Sequence, residues 1–146
     1  MANKFITEVY TAMDKVYEYL KKAGTFFYAT AETNGQPRVR PFGFFMKYED
    51  KLYFGMGQQK PSFAQTRANP KFEICAYVAA DMSWVRIEGT AVFDDRAEVT
   101  EAAFADSPQL KGLYNEQTGN VLGHFYIKDA TATFSSFAGE PEVVKF

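Results

Sequence analysis

Short connections between strand-like segments are the feature that most limits how this chain can fold. Runs rich in aromatic and β-branched residues recur along the sequence, and most of the breaks between them read as turns. Parallel neighbours need a crossover of about a dozen residues or more, usually a helix, and only one break in the middle of the chain suits one. The sequence therefore predicts a mainly β protein, an antiparallel barrel with a few peripheral helices.

Local signals predict the order of the elements. Apolar residues at spacings of three or four predict an amphipathic helix over residues 8–23, ended by Gly24. Asn34-Gly35 is a strong short hairpin signal, and Glu49-Asp50 reads as a second turn. The predicted strands cover residues 25–32, 36–48, 51–56, 71–80 and 83–95, with a last hairpin around Asp129 that joins 121–129 to 130–139. Short helices are predicted at 61–69, 96–106 and 108–116.

Composition narrows the functional classes. The 146 residues suit a single domain over 1–146. A formal net charge of -2 gives no electrostatic footprint for nucleic acid or an anionic membrane. The single cysteine, Cys75, and the absence of a signal pattern at the N-terminus predict a cytoplasmic protein. An aromatic content of 17% exceeds what a small monomer needs and indicates a shared interface.

The segment from Arg38 to Met46 combines strand-forming residues with a proline and a glycine that weaken sheets. Strand alternation puts Arg38, Arg40, Phe42, Phe44 and Met46 on one face, and Val39, Pro41, Gly43 and Phe45 on the other. The arginines have two interpretations, a solvated edge with acidic neighbours or an anion contact by one of them. For Gly43 the alternatives are a flat backbone that leaves room for a ligand ring, or a bulge with positive φ.

The segment "GMGQQKPSF" that follows places flexible Gly55 and Gly57 after a strand and Lys60 before a helix start at Pro61 and Ser62. Free N–H groups at a helix N-terminus favour phosphate. The spacing matches neither the dinucleotide fingerprint nor a Walker A loop, and a surface turn with a surface lysine explains it equally well. A hairpin that places Arg38–Phe45 beside Leu52–Met56 would suit a phosphate attached to a planar ring.

These segments carry a family resemblance. "GQPRVRPFGFFMKYEDKLYFGMGQQKPSFAQTRANPKFEICAY", followed by "WVRIEGTAVFDD", resembles the pyridoxamine 5'-phosphate oxidase-like FMN-binding split barrels, in particular their short nitroimidazole-resistance (nitroreductase-like) branch. The resemblance implies a six-stranded antiparallel split β-barrel, a homodimer and FMN in a cleft between subunits. It matches Arg40 and Lys60 to the phosphate contacts and Phe42–Phe44 to the backbone under the ring. The cofactor-binding set expected from the motifs and the resemblance is Arg38, Arg40, Pro41, Phe42, Gly43, Phe44, Gln58, Gln59, Lys60, Ser62, Trp84 and Arg86.

The function expected from this resemblance is an FMN-dependent oxidoreductase that reduces a small aromatic or nitro-type substrate with electrons from NAD(P)H. Pyridoxamine phosphate oxidation is not expected, because the chain ends "GEPEVVKF" and lacks the basic C-terminal substrate motif. No side chain stands out as a catalytic acid or base, and a single histidine, His124, speaks against a multi-histidine metal site. The rival interpretations are a non-catalytic binder of flavin, haem or another flat ligand, and a structural dimer with an empty cleft.

Overall fold

The first helix follows its local signals. The structure, a computed structural model, describes residues 10–146, so Glu8 and Val9 of the predicted helix lie outside the described range. Helix α1 spans Ala12–Ala23 and begins with a capping box, in which Thr11 and Asp14 each accept a hydrogen bond from the other's backbone N–H. Gly24 ends the helix at φ 80°, a conformation that favours glycine.

Eight strands form one antiparallel sheet around this helix. They are β1 Phe26–Ala31, β2 Pro37–Phe42, β3 Phe45–Tyr48, β4 Lys51–Gly57, β5 Lys71–Val78, β6 Ser83–Phe93, β7 Leu122–Ser136 and β8 Glu142–Lys145. Helix α2 spans Pro61–Ala68, α3 spans Ala97–Asp106, and two 3₁₀ turns cover Ala79–Asp81 and Pro108–Gly112. Within residues 10–146, no helix is long and apolar enough to cross a membrane.

The strand order explains why the barrel is split. The sheet runs β2-β1-β5-β6-β7-β4-β3, with β8 added beside β7. Its two edges, β2 and β3, follow each other in the chain, and no ladder joins them in the described part. The predicted mainly β, antiparallel split barrel is therefore confirmed, although the sheet has eight strands rather than six.

One predicted strand is divided between the two edges. The sequence predicted a continuous strand over 36–48, but β2 pairs with β1 and β3 pairs with β4, with Gly43 and Phe44 as the crossing point. The predicted hairpin of Arg38–Phe45 beside Leu52–Met56 is therefore wrong, except where Phe45 faces Phe54. Alternation along a segment shows which side chains share a face, but it does not show which strand supplies the hydrogen bonds.

The predicted hairpin around Asp129 is also wrong, because β7 runs unbroken through this residue. Asp129 has φ 53°, and the opposite strand shifts register between Glu88 and Thr90. Aspartate tolerates this left-handed conformation better than most residues do. A local bulge thus replaces the expected turn, and the C-terminal segment then pairs with β7 as β8.

Aromatic side chains fill the interior between the sheet and α1. Val16 and Leu20 of α1 are fully buried beside rings from several strands. Phe54 and Phe125 lie at the centre, with ring centroids 5.9 Å apart. Phe26, Tyr28, Phe72 and Phe93 surround them. Much of the aromatic content that suggested an interface in the sequence therefore serves the core.

An ion-pair cluster fastens the turn between β3 and β4 to the start of α3. Arg96 donates to both carboxylate oxygens of Asp94 and to Glu49, and the Tyr53 hydroxyl donates to Asp94 at 2.7 Å. Arg96, and to a smaller degree Tyr53, hold the pKa of Asp94 well below its usual value, against the effect of burial. Because the pKa of Asp94 is lower in the folded than in the unfolded chain, its charge stabilises the fold at pH values above the unfolded pKa of about 3.9. This stabilisation is lost progressively as the pH falls below that value.

We therefore expect Asp94→Asn to lower the free energy of unfolding at pH 7 and to matter less at pH 3. Urea denaturation of the parent and the variant at both pH values measures the difference. Asp95→Asn is the matched control, because the Asp95 side chain is 85% exposed and its ion pair with Arg67 spans 3.9 Å. An unchanged difference between pH 7 and pH 3 would contradict the assigned role of the Asp94 charge.

Candidate functional site

Arg40 lies on the edge strand β2 and is held by neutral oxygen atoms. One guanidinium nitrogen donates to the Tyr28 carbonyl at 3.2 Å and the Thr30 hydroxyl at 2.9 Å, and the other donates to the Gln65 side-chain oxygen at 2.6 Å. Within residues 10–146 no carboxylate forms an ion pair with it. Burial lowers the pKa of Arg40, although an arginine keeps its charge. The result is an oriented cation whose charge has no counterpart among the described residues.

Helix α2 connects Arg40 with the predicted phosphate loop. Lys60 is the N-cap residue and Pro61 the first residue of the helix, as the sequence predicted. Gln65, whose side-chain oxygen accepts from Arg40, lies five residues beyond Lys60, which is about 7.5 Å along the helix axis. Lys60 is exposed and makes no ion pair within the described range. The two predicted phosphate contacts thus adjoin the same helix, Lys60 at its N-terminus and Arg40 at Gln65 in its second half.

Gly43, three residues after Arg40 and just beyond the end of β2, presents an open backbone. The residue is exposed, its φ is not positive, and a Cβ built on it would meet no atom within 4 Å. The alternative of a positive-φ bulge at Gly43 is therefore wrong. A cavity of about 310 Å³ adjoins it, and its other lining residues are Tyr17, Lys21, Gly24, Phe45, Asp106 and Ser107.

Gly55 and Gly57 serve packing rather than flexibility. Both are buried residues of β4 and not part of a loop after the strand. A Cβ at Gly55 would lie 3.0 Å from the Phe44 ring, and one at Gly57 would collide with the Gln59 side chain. The predicted flexible glycine loop is therefore wrong, because neighbouring side chains occupy the space that a Cβ would need. Gln58 and Gln59 form an exposed turn, while Ser62 is buried.

The other site residues predicted on β2 have surroundings different from those of Arg40. The Phe42 ring stacks on Tyr28 with centroids 4.7 Å apart, so its side chain belongs to the core and only its backbone faces the opening at Gly43. Pro41 is exposed. Arg38 pairs with Glu32 at 3.4 Å, as the solvated-edge interpretation predicts. Of the two arginines, only Arg40 retains an unpaired charge among the described residues.

Trp84 and Arg86 are not brought to Arg40 within one chain. Both lie on β6, separated from β2 by β1 and β5, and on the sheet face away from the core. Arg86 pairs with Glu73 at 2.5 Å, and the Trp84 ring packs edge-on against Phe137 at 5.3 Å. Their predicted cofactor contact would therefore need a second subunit.

Thr30 and Gln65 are site residues that the sequence analysis missed. The Asn34-Gly35 signal alone would not have found Thr30, because a two-residue loop at these positions pairs Thr30 with Val39. The hydrogen bond from Glu32 N–H to the Gln36 carbonyl closes a loop of three residues, and this register places Thr30 opposite Arg38. Gln65 carries no local signal, since its role depends on where α2 packs against β1.

Comparisons with known proteins agree with this architecture. The sequence profile described as pyridoxamine 5'-phosphate oxidase matches residues 12–135. A NimC/NimA family protein from Clostridium acetobutylicum is 39% identical, with a TM-score of 0.84 and 92% of each chain covered. Among curated proteins, none matches the chain.

Two more distant structures share the fold alone. A pyridoxamine 5'-phosphate oxidase-related, FMN binding protein from Nostoc punctiforme PCC 73102 is 14% identical, with a TM-score of 0.62 and coverage of 90% of this chain and 95% of its own. A heme binding protein from Mycobacterium smegmatis is 12% identical, with a TM-score of 0.64 and coverage of 87% of this chain and 57% of its own.

Proposed function

Because the chain belongs to the pyridoxamine 5'-phosphate oxidase family, we propose that it binds FMN and reduces a small aromatic or nitro-type substrate with electrons from NAD(P)H. The observation that carries this proposal is Arg40, a partly buried cation that is held only by neutral oxygens and lies three residues before an open glycine backbone. The Nostoc punctiforme relative, described as FMN binding, supports the same cofactor class.

The residues present suit the phosphate end of FMN. Arg40 offers a preoriented guanidinium, which binds phosphate through two parallel hydrogen bonds. Lys60 adds a second positive charge at the N-cap of α2, where the helix dipole favours an anion. Gln58 and Gln59 belong to the exposed turn before Lys60 and complete the proposed phosphate site. Ser62, whose side chain is buried, would contribute its backbone N–H at the helix start.

The ring end of the proposed site is the backbone around Gly43. No side chain covers this glycine, so a flat ring can approach the peptide groups of Phe42, Gly43 and Phe44. Bound FMN supplies the hydride and electron transfer. The chain itself binds the phosphate, orients the ring and limits the access of water, and no side chain of the described residues is assigned to proton transfer.

Two observations support FMN rather than haem as the proposed cofactor. A haem site commonly uses histidine as an axial ligand, and His124 is the only histidine of the chain. Its ring is buried and its Nε2 already bonds to the Thr100 hydroxyl at 2.7 Å. Arg40, in contrast, suits a phosphate group, which FMN carries.

The proposal is tested with purified protein. We expect the apo protein to bind FMN more tightly than hemin, and the bound flavin to lose its visible absorbance when NADPH or NADH is added without oxygen. Tight FMN binding without reduction by either nucleotide would contradict the proposed reductase activity and would indicate a non-catalytic flavin-binding protein. Preference for hemin would contradict the cofactor assignment itself.

We also propose that the protein is a homodimer formed through the outer face of the sheet. Phe27, Val39 and Tyr77, on the adjacent strands β1, β2 and β5, are exposed by 48%, 68% and 49%. An exposed apolar row of this kind usually marks an interface. This face also carries Trp84 and Arg86, so a second copy seated on it could bring them to the FMN of its partner.

A dimer of this kind is expected to bury well over about 1,000 Å² in total. Sedimentation at micromolar concentration should therefore give twice the chain mass for the parent. Val39→Glu should shift the protein toward the monomer, because it places a charge in the apolar row. The control is Leu113→Glu, since Leu113 is also exposed but lies outside the sheet. A parent protein that sediments as a stable monomer would refute the dimer.

Cys75 fits the proposed cytoplasmic location. It is the only cysteine, so the chain cannot form an internal disulfide. The side chain is half-buried on β5, opposite Arg86 on the neighbouring strand, and burial raises the pKa of its thiol. A thiol of this kind stays protonated and unreactive in a reducing compartment.

A further inference from the structure

Two arginines of the edge strand β2 lie next to one carboxylate. Arg38 and Arg40 are two residues apart, so both point to the same side of the strand. One oxygen of Glu32 pairs with Arg38 at 3.4 Å, and its other oxygen accepts from the side-chain amide nitrogen of Gln65 at 3.3 Å. Arg40 donates to the oxygen of the same amide at 2.6 Å. The carboxylate therefore neutralises Arg38, whereas an uncharged amide stands between it and Arg40.

The orientation of the Gln65 amide follows from its three neighbours. Its nitrogen donates to the Glu32 carboxylate, and its oxygen accepts from Arg40 and, at 2.9 Å, from the Thr30 hydroxyl. A carboxylate only accepts hydrogen bonds and a guanidinium only donates them, so a flipped amide would face both with the wrong group. The network thus fixes a neutral oxygen against Arg40.

The bonds of Arg40 leave part of its guanidinium free. Nη1 donates to oxygens of β1 and β2 at 2.9–3.4 Å, and Nη2 uses one of its two hydrogens for Gln65. Nε–H and the second hydrogen of Nη2 have no partner among residues 10–146. Solvent reaches Nε, because in that range only the Nδ1 atom of His124 is a side-chain atom both buried and unpaired. Two donors of the guanidinium therefore remain for an anion.

An amide and a carboxylate at position 65 would leave Arg40 in different states. The two groups have the same shape, and either oxygen could accept from Nη2. A carboxylate would also cancel the charge of Arg40 in a charge-assisted pair, and an incoming phosphate would have to compete with it. The amide holds the guanidinium in place without cancelling its charge.

We propose that Gln65 makes this site selective for a ligand that carries a phosphate group over the same ligand without it. Gln65 is a positioning residue, which acts through Arg40 and needs no contact of its own with the ligand. The inference rests on the proposed function in one respect, namely that the phosphate belongs to FMN. Riboflavin, the same flavin without the phosphate, is the ligand that the site selects against.

The variant Gln65→Glu keeps the shape of the side chain and adds one negative charge at the Arg40 contact. We expect it to weaken FMN binding by about tenfold or more, because Arg40 then pairs with the new carboxylate, and to leave riboflavin binding near the parent value. Gln109→Glu is the matched control, since it makes the same change at an exposed position of the 3₁₀ turn Pro108–Gly112. Thermal denaturation shows whether each variant is folded before it is titrated.

The variant Gln65→Met separates the effect of charge from the loss of the hydrogen bond. Methionine has a similar length but neither a charge nor a strong acceptor, so Arg40 loses a partner and keeps its charge. We expect a smaller loss of FMN affinity than in Gln65→Glu, and a preference for FMN over riboflavin that Arg40→Ala lacks. Equal losses in the two Gln65 variants would overturn the assigned role, because lost orientation alone would then explain them. If Gln65→Glu does not fold, a folded Gln65→Met without any preference for FMN would overturn it as well.

Inorganic phosphate tests the same role without a flavin. In ¹⁵N-labelled protein, the Nε–H signal of Arg40, assigned by its absence from Arg40→Lys, reports an anion at the guanidinium. We expect a saturable shift of this signal when phosphate is added to the parent at constant ionic strength. In Gln65→Glu the apparent affinity for phosphate should be weaker by about tenfold or more.

The two ligands distinguish a failure of this inference from a failure of the proposed function. Parent-like binding of both FMN and phosphate by folded Gln65→Glu would overturn the role of Gln65 and leave FMN as the cofactor. A parent that binds phosphate at Arg40 but not FMN, with the expected loss in Gln65→Glu, would refute the cofactor and support the role of Gln65. An Arg40 signal that responds to neither ligand would overturn both.

Discussion

We expect Gly43→Val to abolish detectable FMN binding while the apo protein melts close to the parent temperature. The Cβ of this residue meets nothing within 4 Å in the described protein, and its φ lies outside the left-handed region. Valine therefore causes neither a clash nor backbone strain in the apo state. Its branched side chain would instead stand in the space that a flavin ring needs against the peptide groups of Phe42–Phe44.

The measurement pairs a thermal melt of the apo variant with an FMN titration. Gly112→Val is the matched control, because Gly112 also has open surroundings and no positive φ but lies in the 3₁₀ turn Pro108–Gly112. Parent-like FMN affinity in a folded Gly43→Val variant would refute the ring platform. A strongly destabilised apo variant would instead show that Gly43 serves the crossing from β2 to β3.

Arg40→Ala is expected to weaken FMN binding by about 10- to 150-fold. This range corresponds to a charge-assisted hydrogen-bond contribution of about 1.5–3 kcal/mol, at about 1.4 kcal/mol per factor of ten. Lys60→Ala should act in the same direction but leave the fold unaffected, since Lys60 is exposed. Arg40→Ala also deprives Thr30 and Gln65 of a donor, so a modest loss of apo stability is expected for this variant alone.

A riboflavin titration distinguishes the contribution of the phosphate contact from that of the ring contacts. Riboflavin lacks the phosphate group, so Arg40→Ala should weaken FMN binding far more than riboflavin binding. Arg38→Ala is the comparison variant, because Arg38 is already paired with Glu32 and should have a smaller effect on FMN. Equal losses for FMN and riboflavin in Arg40→Ala would indicate a structural role, and parent-like FMN binding by both Arg40→Ala and Lys60→Ala would place the phosphate elsewhere.

The sequence was sufficient for features that depend on neighbours along the chain. Gly24 ends α1, Asn34-Gly35 lies in the loop that joins β1 to β2, and Glu49 and Asp50 both adopt the positive φ of a tight hairpin turn. The predicted helix start at residue 8 was less accurate, because α1 begins at Ala12 after the Thr11 cap. Short-range signals are reliable here because a turn or a cap satisfies its own backbone groups within a few residues. The family resemblance likewise rests on the order of such local segments.

Only the tertiary structure showed the features that depend on contacts between residues far apart in the chain. Alternation could not show that the chain leaves one sheet edge at Gly43 and joins the other, because the pleat is the same whichever strand supplies the hydrogen bonds. Packing of α2 placed Gln65 against Arg40 and Arg67 over Phe93. The sequence identified Arg40 as a candidate anion contact. It could not show that the guanidinium lacks a carboxylate partner among the described residues, because that depends on the three-dimensional positions of residues far apart in the chain.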